Sequence, residues 1–464
     1  MKVIIAILSV WLAAAPAPAA AQHPATAAQH PAGPQHPAGP QHAAIAPAVA
    51  QDNSEALRRA EDAVTDIMVH DIFSPPVASR IYLYTNIAAY ETLVKAHPQE
   101  YSSLYGQVKG FPEIPAPDKA ISFPVASVYA FLLVGKKLVF SDSAMQDSIH
   151  AILHDLRSGA PDPSTYKASL EYGQQVAAAV IAWAETDQYK ETRRLPRYRI
   201  SRQKGKWIPT PPVYMAAVEP YWNRIRPITL DSAGQFRPPA APPFSADSSS
   251  PFYHAAYDVY RTVNSLSDEQ KAIANFWDCN PFAVTTEGHL MFATKKITPG
   301  GHWIAIVSTV SRQQHRDIME TAAAYTLTSI GIFDAFISCW DEKYRSNVIR
   351  PETYIDAYID EGWRPILQTP PFPEYTSGHS IVSMVAATVL TPFLGGQYAF
   401  NDDTEKKYGL PERHFVSFRQ AAQEAAVSRL YGGIHYRAAI EEGQVSGRKI
   451  GEWVLQKIKL KKAG

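Results

Sequence analysis

From Ser54 onward, apolar residues recur three and four positions apart, a spacing that predicts helices rather than strands. Ser54, followed by Glu55, Ala56 and Leu57, opens the first segment with a capping serine. After the Pro75-Pro76 break, Val77, Ile81, Tyr84, Ile87, Ala88 and Leu93 fall on one helical face. Val125–Val139, starting just after Pro124, and Ser169–Ala184 read as further buried helices. Strand-like alternation is scarce, and Asn-Gly hairpin turns are absent. Between Arg226 and Phe252 the chain turns Pro- and Ser-rich, as in a long ordered loop or a boundary between two helical halves. Helical patterns resume at Ser265–Phe276 and continue to the end. The expected fold is all-α, with helices packed as bundles.

The N-terminus follows different rules. Lys2, the apolar run Val3–Ala15 and the small residues Ala19-Ala20-Ala21 have the form of a secretory signal peptide over 1–21, cleaved near Ala21. A periplasmic or secreted mature chain is expected. Residues 22–52 form a linker rich in Gln-His-Pro-Ala repeats (Gln22-His23-Pro24-Ala25, and again from Gln29 and Gln35). That composition cannot bury a core. The linker histidines are read as part of a passive spacer. The globular domain is 53–464. No later run of about 20 apolar residues stands out, so no membrane span is expected in the mature chain.

Composition narrows the function. Lys plus Arg number 44 and Asp plus Glu number 44, so the formal charge is zero. Nucleic-acid binders carry a basic domain or stripe, because phosphate contacts dominate their affinity, and no nucleic-acid partner is expected. A hydrophobic share of 46% with 19% charged residues is a globular composition. Only two cysteines occur, Cys279 and Cys339, which excludes a disulfide-built scaffold and leaves a single bridge open.

Three clusters near the C-terminus carry candidate chemistry. The first is Lys343-x6-Arg350-Pro351, closing the apolar stretch Ile332–Trp340. Seven residues is nearly two helical turns, so both cations are expected on one helix face about 10 Å apart, with Pro351 ending that helix. The second is Pro371-Phe372-Pro373-Glu374-Tyr375-Thr376-Ser377-Gly378-His379, running into the apolar stretch Ile381–Leu390. This places Ser377, Gly378 and His379 at a helix N-terminus, where free N–H groups and the dipole favour an anion. The third is Ser428-Arg429-x5-His435, where Gly432-Gly433 breaks a helix and a turn carries His435. Each cluster alone suits a bland role, such as solvated charges, a serine cap or a structural histidine. Together they offer three cations, a helix N-terminus and two histidines, the ingredients of a pocket for a tetrahedral oxyanion. His150 and His154 are four apart but lack a third ligand and are read as an exposed helix face. Ser311-Arg312-x2-His315 has the wrong spacing to join the set.

The ordered set K-x6-RP, SGH and SR-x5-H closely resembles the signature shared by vanadium-dependent haloperoxidases and type-2 phosphatidic acid phosphatases. Lys343, Arg350, Ser377, Gly378, His379, Arg429 and His435 match it, within about residues 270–460. Asp71–Pro76 and Thr298–Trp303 also look like segments of bacterial haloperoxidase-type members. The resemblance implies two four-helix bundles with the oxyanion held between helices. It implies vanadate as cofactor, with phosphate able to occupy the same site. His435 would be the axial vanadium ligand, and Lys343, Arg350, Ser377, Gly378 and Arg429 would bind vanadate oxygens. His379 would be the acid–base residue. The implied reaction is oxidation of a halide by hydrogen peroxide to hypohalous acid, with the metal as Lewis acid.

The same pocket suits an acid phosphatase, with His435 as nucleophile on a phosphoester and His379 protonating the leaving group. A non-catalytic oxyanion binder is the third reading. Trp340 and Phe372 match aromatic positions lining the halide site of chloroperoxidase-like members, and so favour the peroxidase. Two positions depart from the pattern. Thr376 stands where a proline is usual, and Ala439 stands where an Asp often follows the last histidine. Asp278 is the candidate carboxylate partner for Arg429 or His379. Halide preference and oligomeric state are not legible.

Overall fold

The computed structural model describes residues 54–157, 162–287 and 290–462. The signal segment 1–21 and the linker 22–52 lie outside the described residues. Five helices form the first bundle: α1 (Ser54–His70), α2 (Pro75–Leu93), α3 (Phe123–Leu138), α4 (Asp142–Arg157) and α5 (Pro163–Ala184). Three of them begin on Pro or with Pro at their second position, which tolerates the missing N–H at a helix start. α2 is buried at every position, and its charged side chains are paired inside: Arg80 Nε donates to Asp187 at 2.6 Å and Glu91 accepts from the Leu104 N–H at 2.6 Å. His150 and His154 lie exposed on α4, as their spacing suggested.

After the short α6 (Tyr189–Thr192), an extended Pro-rich segment with one 3-10 turn crosses to α7 (Pro251–Asn264) and α8 (Asp268–Phe276). A small antiparallel pair, β1 (Ala283–Glu287) with β2 (Leu290–Thr294), precedes α9 (Pro299–Gln313) and α10 (Ile318–Ser346). Then come α11 (Pro351–Tyr358), α12 (Gly378–Leu394), a second small pair of β3 (Phe400–Asp402) with β4 (Arg413–Phe415), α13 (Phe418–Tyr431) and α14 (Arg437–Lys457). The second bundle is built on α12, which packs against α10, α13 and α14. α10 also packs on α2 and so joins the two bundles.

Two expectations are corrected and one open question is settled. The helix carrying Lys343 ends at Ser346, because Asn347 adopts a left-handed cap at φ 52°. Arg350 therefore lies beyond it, as the N-cap of α11, and Pro351 starts that helix rather than ending the previous one. Next, α10 is long and apolar enough to cross a membrane by composition, a run not anticipated from the sequence. Its most apolar 18-residue window is entirely buried inside the protein, as befits a core helix. Finally, Cys279 and Cys339 are both buried free thiols, so the open question of a bridge is answered in the negative.

Candidate active site

The site is built around the N-terminus of α12. Ser377 caps it, its Oγ accepting from the Ser380 N–H at 3.3 Å and from the Ser380 hydroxyl at 2.8 Å, which leaves its own proton to donate. Gly378 opens the helix with its dipole end toward the cavity. Close packing of α14 fixes this end. A Cβ on Gly443 would lie 2.9 Å from Ser380 Cβ and 3.1 Å from the Ser377 carbonyl, and one on Gly447 would lie 2.5 Å from the Ile381 carbonyl.

Three buried cations surround that end. Lys343 Nζ donates to the carbonyls of Pro373 at 3.1 Å, Glu374 at 3.0 Å and Thr376. All three ammonium protons are thereby committed to the segment leading into Ser377. Burial pulls Lys343 down to about 8 and Arg350 down to about 10. Arg350 donates to the carbonyls of Phe372 at 2.9 Å and Ile434 at 2.8 Å, and to His435 Nε2 at 3.2 Å. Arg429 Nη1 donates to the Trp277 carbonyl at 2.8 Å and to His379 Nε2 at 2.9 Å. Arg350 Nη2, Arg429 Nε and Arg429 Nη2 are buried and have no hydrogen-bond partner among the described residues.

Both histidines are held neutral. Burial, then the Arg350 and Lys343 charges, push His435 well below the ordinary imidazole range; burial, then Arg429, do the same to His379. His435 Nδ1 lies 2.7 Å from Glu374 Oε1, which also accepts from the Tyr436 N–H at 3.0 Å. Donation from Nδ1 to Glu374 leaves the Nε2 lone pair facing Arg350. Burial raises Glu374 to about 7, against the pull of Arg350 and Lys343.

Asp278, Gly378, His379, Arg429 and His435 line a cavity of about 130 Å³ whose remaining wall is mostly apolar, with Ser74, Asn280 and Gln368 among it. Trp340 and Phe372 form part of its wall, with ring centroids 4.9 Å apart. Phe372 also lies under two cations, 5.1 Å from Lys343 Nζ and 5.1 Å from Arg350 Cζ.

The structure thus gathers all seven motif residues around one cleft. Asp278 lines it, but its carboxylate lies 3.6 Å from Lys296 Nζ, and the Trp277 carbonyl is the hydrogen-bond partner of Arg429. The residue sequence reasoning passed over is Glu374. It supplies the carboxylate for His435 that Ala439 does not. Its one signal was position, an acidic residue between Pro373 and the serine-glycine-histidine turn in an otherwise uncharged segment.

Comparison with known proteins gives this arrangement its context. Residues 323–462 match the family model of the VCPO second helical-bundle domain. A solved structure described as the first bacterial vanadium-dependent iodoperoxidase shares 48% sequence identity with this chain. The match covers 88% of this chain and 97% of that one, with a TM-score of 0.83. A bacterial vanadium-dependent chloroperoxidase in its holo form shares the fold at 16% identity, covering 83% of this chain and 93% of that one, with a TM-score of 0.64. No curated protein matches the sequence. The chain belongs to the vanadium-dependent haloperoxidases. Its activity is oxidation of halide by hydrogen peroxide, with vanadate as cofactor.

The residues of this haloperoxidase fit a vanadate ion. Unpartnered guanidinium nitrogens are what a buried oxyanion site presents, since such donors are costly without an acceptor. A neutral imidazole suits a metal ligand once Arg350 gives up its 3.2 Å contact with Nε2, and the other nitrogen has the carboxylate partner usual for metal-binding histidines. Lys343 differs from the role its motif position implies. Its donors clamp residues 373–376, and reaching an oxyanion would release one carbonyl.

Proposed function

We propose that this haloperoxidase turns over iodide, with vanadate held by His435, Arg350, Arg429, Ser377 and the Gly378 N–H. The carrying observation is the set of three buried guanidinium nitrogens of Arg350 and Arg429 without a partner among the described residues, together with a neutral, Glu374-oriented His435. The halide choice rests on the similarity to a protein described as an iodoperoxidase. When bound, vanadate supplies a Lewis-acid centre that activates hydrogen peroxide.

The chain's own groups do the rest. Arg350 and Arg429 offset anionic charge in a cavity where burial strengthens each hydrogen bond. Lys343 holds the Pro373–Thr376 carbonyls in place and so fixes the backbone entering Ser377. His379 is neutral and lines the cavity, so it is placed to take a proton there and return it once Nε2 parts from Arg429. Trp340 and Phe372 give a halide a largely dry wall. Asp278 tempers the charge of Arg429 from the cavity rim.

A second activity is supported by one contact. With Glu374 on His435, the absence of an Asp at position 439 no longer argues against a histidine nucleophile, so the metal-free protein is proposed to bind phosphate and hydrolyse phosphoesters slowly. The N-terminal signal pattern supports export to the periplasm or beyond, which intact mass of the exported chain checks through the loss of residues 1–21.

The test is reconstitution with vanadate, then hydrogen peroxide with iodide or bromide, followed by triiodide absorbance and dye bromination. The metal-free protein is assayed in parallel with a chromogenic phosphomonoester. Vanadate-dependent iodide turnover is expected. Vanadate-inhibited hydrolysis without any halide turnover would overturn the proposal.

A further inference from the structure

Away from the seven motif residues, a second group of buried metal-ligating side chains lies where three segments meet. Cys279 follows α8, His302 sits in the first turn of α9, and Glu405 lies in the 3-10 turn Thr404–Tyr408 after β3. Their donor atoms all fall within 4.8 Å of one another, and each residue is buried. Cys279 Sγ is 3.5 Å from His302 Nδ1, and His302 Nδ1 is 3.3 Å from Glu405 Oε1.

These separations have a specific meaning. With zinc–sulfur near 2.3 Å and zinc–nitrogen and zinc–oxygen near 2.0–2.1 Å, tetrahedral angles place S and N about 3.5 Å apart and N and O about 3.3 Å apart. The two separations made by His302 match those of ligands around a small tetrahedral ion. A second observation points the same way. Both carboxylate oxygens of Glu405 are buried without a hydrogen bond among the described residues, an arrangement that a cation relieves. A third concerns orientation. His302 Nε2 lies 2.7 Å from Asp402 Oδ2, and Asp402 Oδ1 is itself fixed by the Thr404 N–H at 3.0 Å. Donation from Nε2 to Asp402 leaves Nδ1 as the lone-pair nitrogen facing Cys279 and Glu405, the carboxylate–histidine–metal arrangement of zinc proteins.

We propose that Cys279, His302 and Glu405 bind a divalent cation of the zinc class, with Asp402 positioning His302. The Cys279 proton is released on binding, because the thiolate is the ligand. The metal ties α9 and the Thr404–Tyr408 turn to the segment Trp277–Cys279. Trp277 stacks on His302 at 4.5 Å, and its carbonyl holds Arg429. Cys279 also lines the active-site cavity, so coordination shields a thiol from the oxidant formed beside it.

The competing arrangement is a metal-free imidazolium, with His302 shared by Asp402 and Glu405. Chelator-treated full-length protein is titrated with cobalt(II) alone, and near-ultraviolet absorption is followed. One equivalent with a thiolate-to-cobalt charge-transfer band is expected. Cys279→Ser should abolish that band, and Asp402→Asn should weaken binding roughly 10–100-fold. The linker histidines bind cobalt without a sulfur band, so they do not mimic the result. Absence of the band in folded wild type, or its survival in Cys279→Ser, would overturn the proposal. Should Cys279→Ser fail to fold, Glu405→Gln replaces it, with at least tenfold weaker binding expected and unchanged affinity counting against the site.

Discussion

Glu374 Oε1 lies 2.7 Å from His435 Nδ1, so a carboxylate from the segment before α12 orients an imidazole from the turn before α14. The two residues are 61 positions apart in sequence, and burial of both makes the contact specific. Partners of this kind fix the tautomer and raise the basicity of the nitrogen that binds metal. Glu374→Ala should therefore weaken vanadate binding about 10–100-fold, measured by isothermal titration. Glu374→Gln, whose amide oxygen still accepts from Nδ1, should lose less. Equal loss in the two variants would mean that charge, rather than orientation, is what Glu374 supplies.

The same residue sets a pH dependence in the vanadate-free protein. Burial raises Glu374 from 4.5 to about 7, so the folded state holds this proton more tightly than the unfolded chain does. Its contribution to stability is fully present below pH 4.5 and is lost as pH rises through 7. Unfolding midpoints of wild type and Glu374→Gln, compared from pH 4.5 to 8, should shift in favour of the variant as pH rises. His435, pushed below its ordinary value, acts in the opposite sense: its contribution is present above pH 6.5 and is lost on acidification. The comparison is therefore read above pH 6.5, where the His435 contribution is fully present in both proteins. A constant gap between wild type and variant would place the Glu374 titration outside this window.

Much of this site was legible before the structure, and the reasons are local. Residues 377–379 follow a proline-stiffened approach and precede an apolar helix, so their position at a helix N-terminus was fixed by nearest neighbours. The Gly432-Gly433 break likewise announced the turn carrying His435; Gly433 takes φ 76°. Arg350 was misplaced because the helix stop at Asn347 depends on a left-handed residue that apolar periodicity does not reveal. The Glu374–His435 contact and the all-carbonyl coordination of Lys343 are long-range in sequence. They follow from how α10, α12 and α14 pack, which no spacing rule encodes. Asp278 was expected as a carboxylate partner for Arg429 or His379; it lines the cavity, and its ion-pair partner is Lys296, on a separate segment after β2.

His379 divides binding from turnover. Its contact is with Arg429 Nη1, which keeps a second acceptor in the Trp277 carbonyl when the imidazole is removed. His379→Ala should lower kcat for iodide by roughly 10²–10⁴-fold, the usual range for a positioned acid–base group, with vanadate affinity changed far less. Steady-state kinetics at saturating vanadate, paired with titration, separate the two. A parallel fall in both would make His379 a ligand-holding residue.

Phe372 is predicted to act on the halide. Its ring packs beside Trp340 and beneath two cations, so Phe372→Ala both opens the dry wall and removes cation–π contacts of about 1 kcal/mol. The Arg350 hydrogen bond to residue 372 uses its carbonyl and survives the substitution. An increase in KM for iodide of roughly fivefold is expected, with vanadate affinity within a few-fold of wild type. Iodide-dependence curves check it, and an unchanged KM would remove Phe372 from the halide path.

The last prediction concerns the helix that backs the site. Gly443 on α14 lets the Ser377 carbonyl and Ser380 approach so closely that a methyl group at 443 would fall 2.9 Å from Ser380 Cβ and 3.1 Å from that carbonyl oxygen. Neither neighbour yields freely, since the carbonyl belongs to the cap residue and Ser380 lies in the first turn of α12. Gly443→Ala should destabilise the protein by about 1–3 kcal/mol, the cost of overpacking a filled interior. It should also move Ser377 and the Gly378 N–H, weakening vanadate binding although residue 443 does not line the cavity. Gly396→Ala is the matched control, because nothing lies within 4 Å of its added carbon. Denaturant unfolding and vanadate titration of both variants give the comparison. If Gly443→Ala loses stability yet binds vanadate like wild type, the α14 contact holds the bundle together without setting the geometry of the α12 N-terminus.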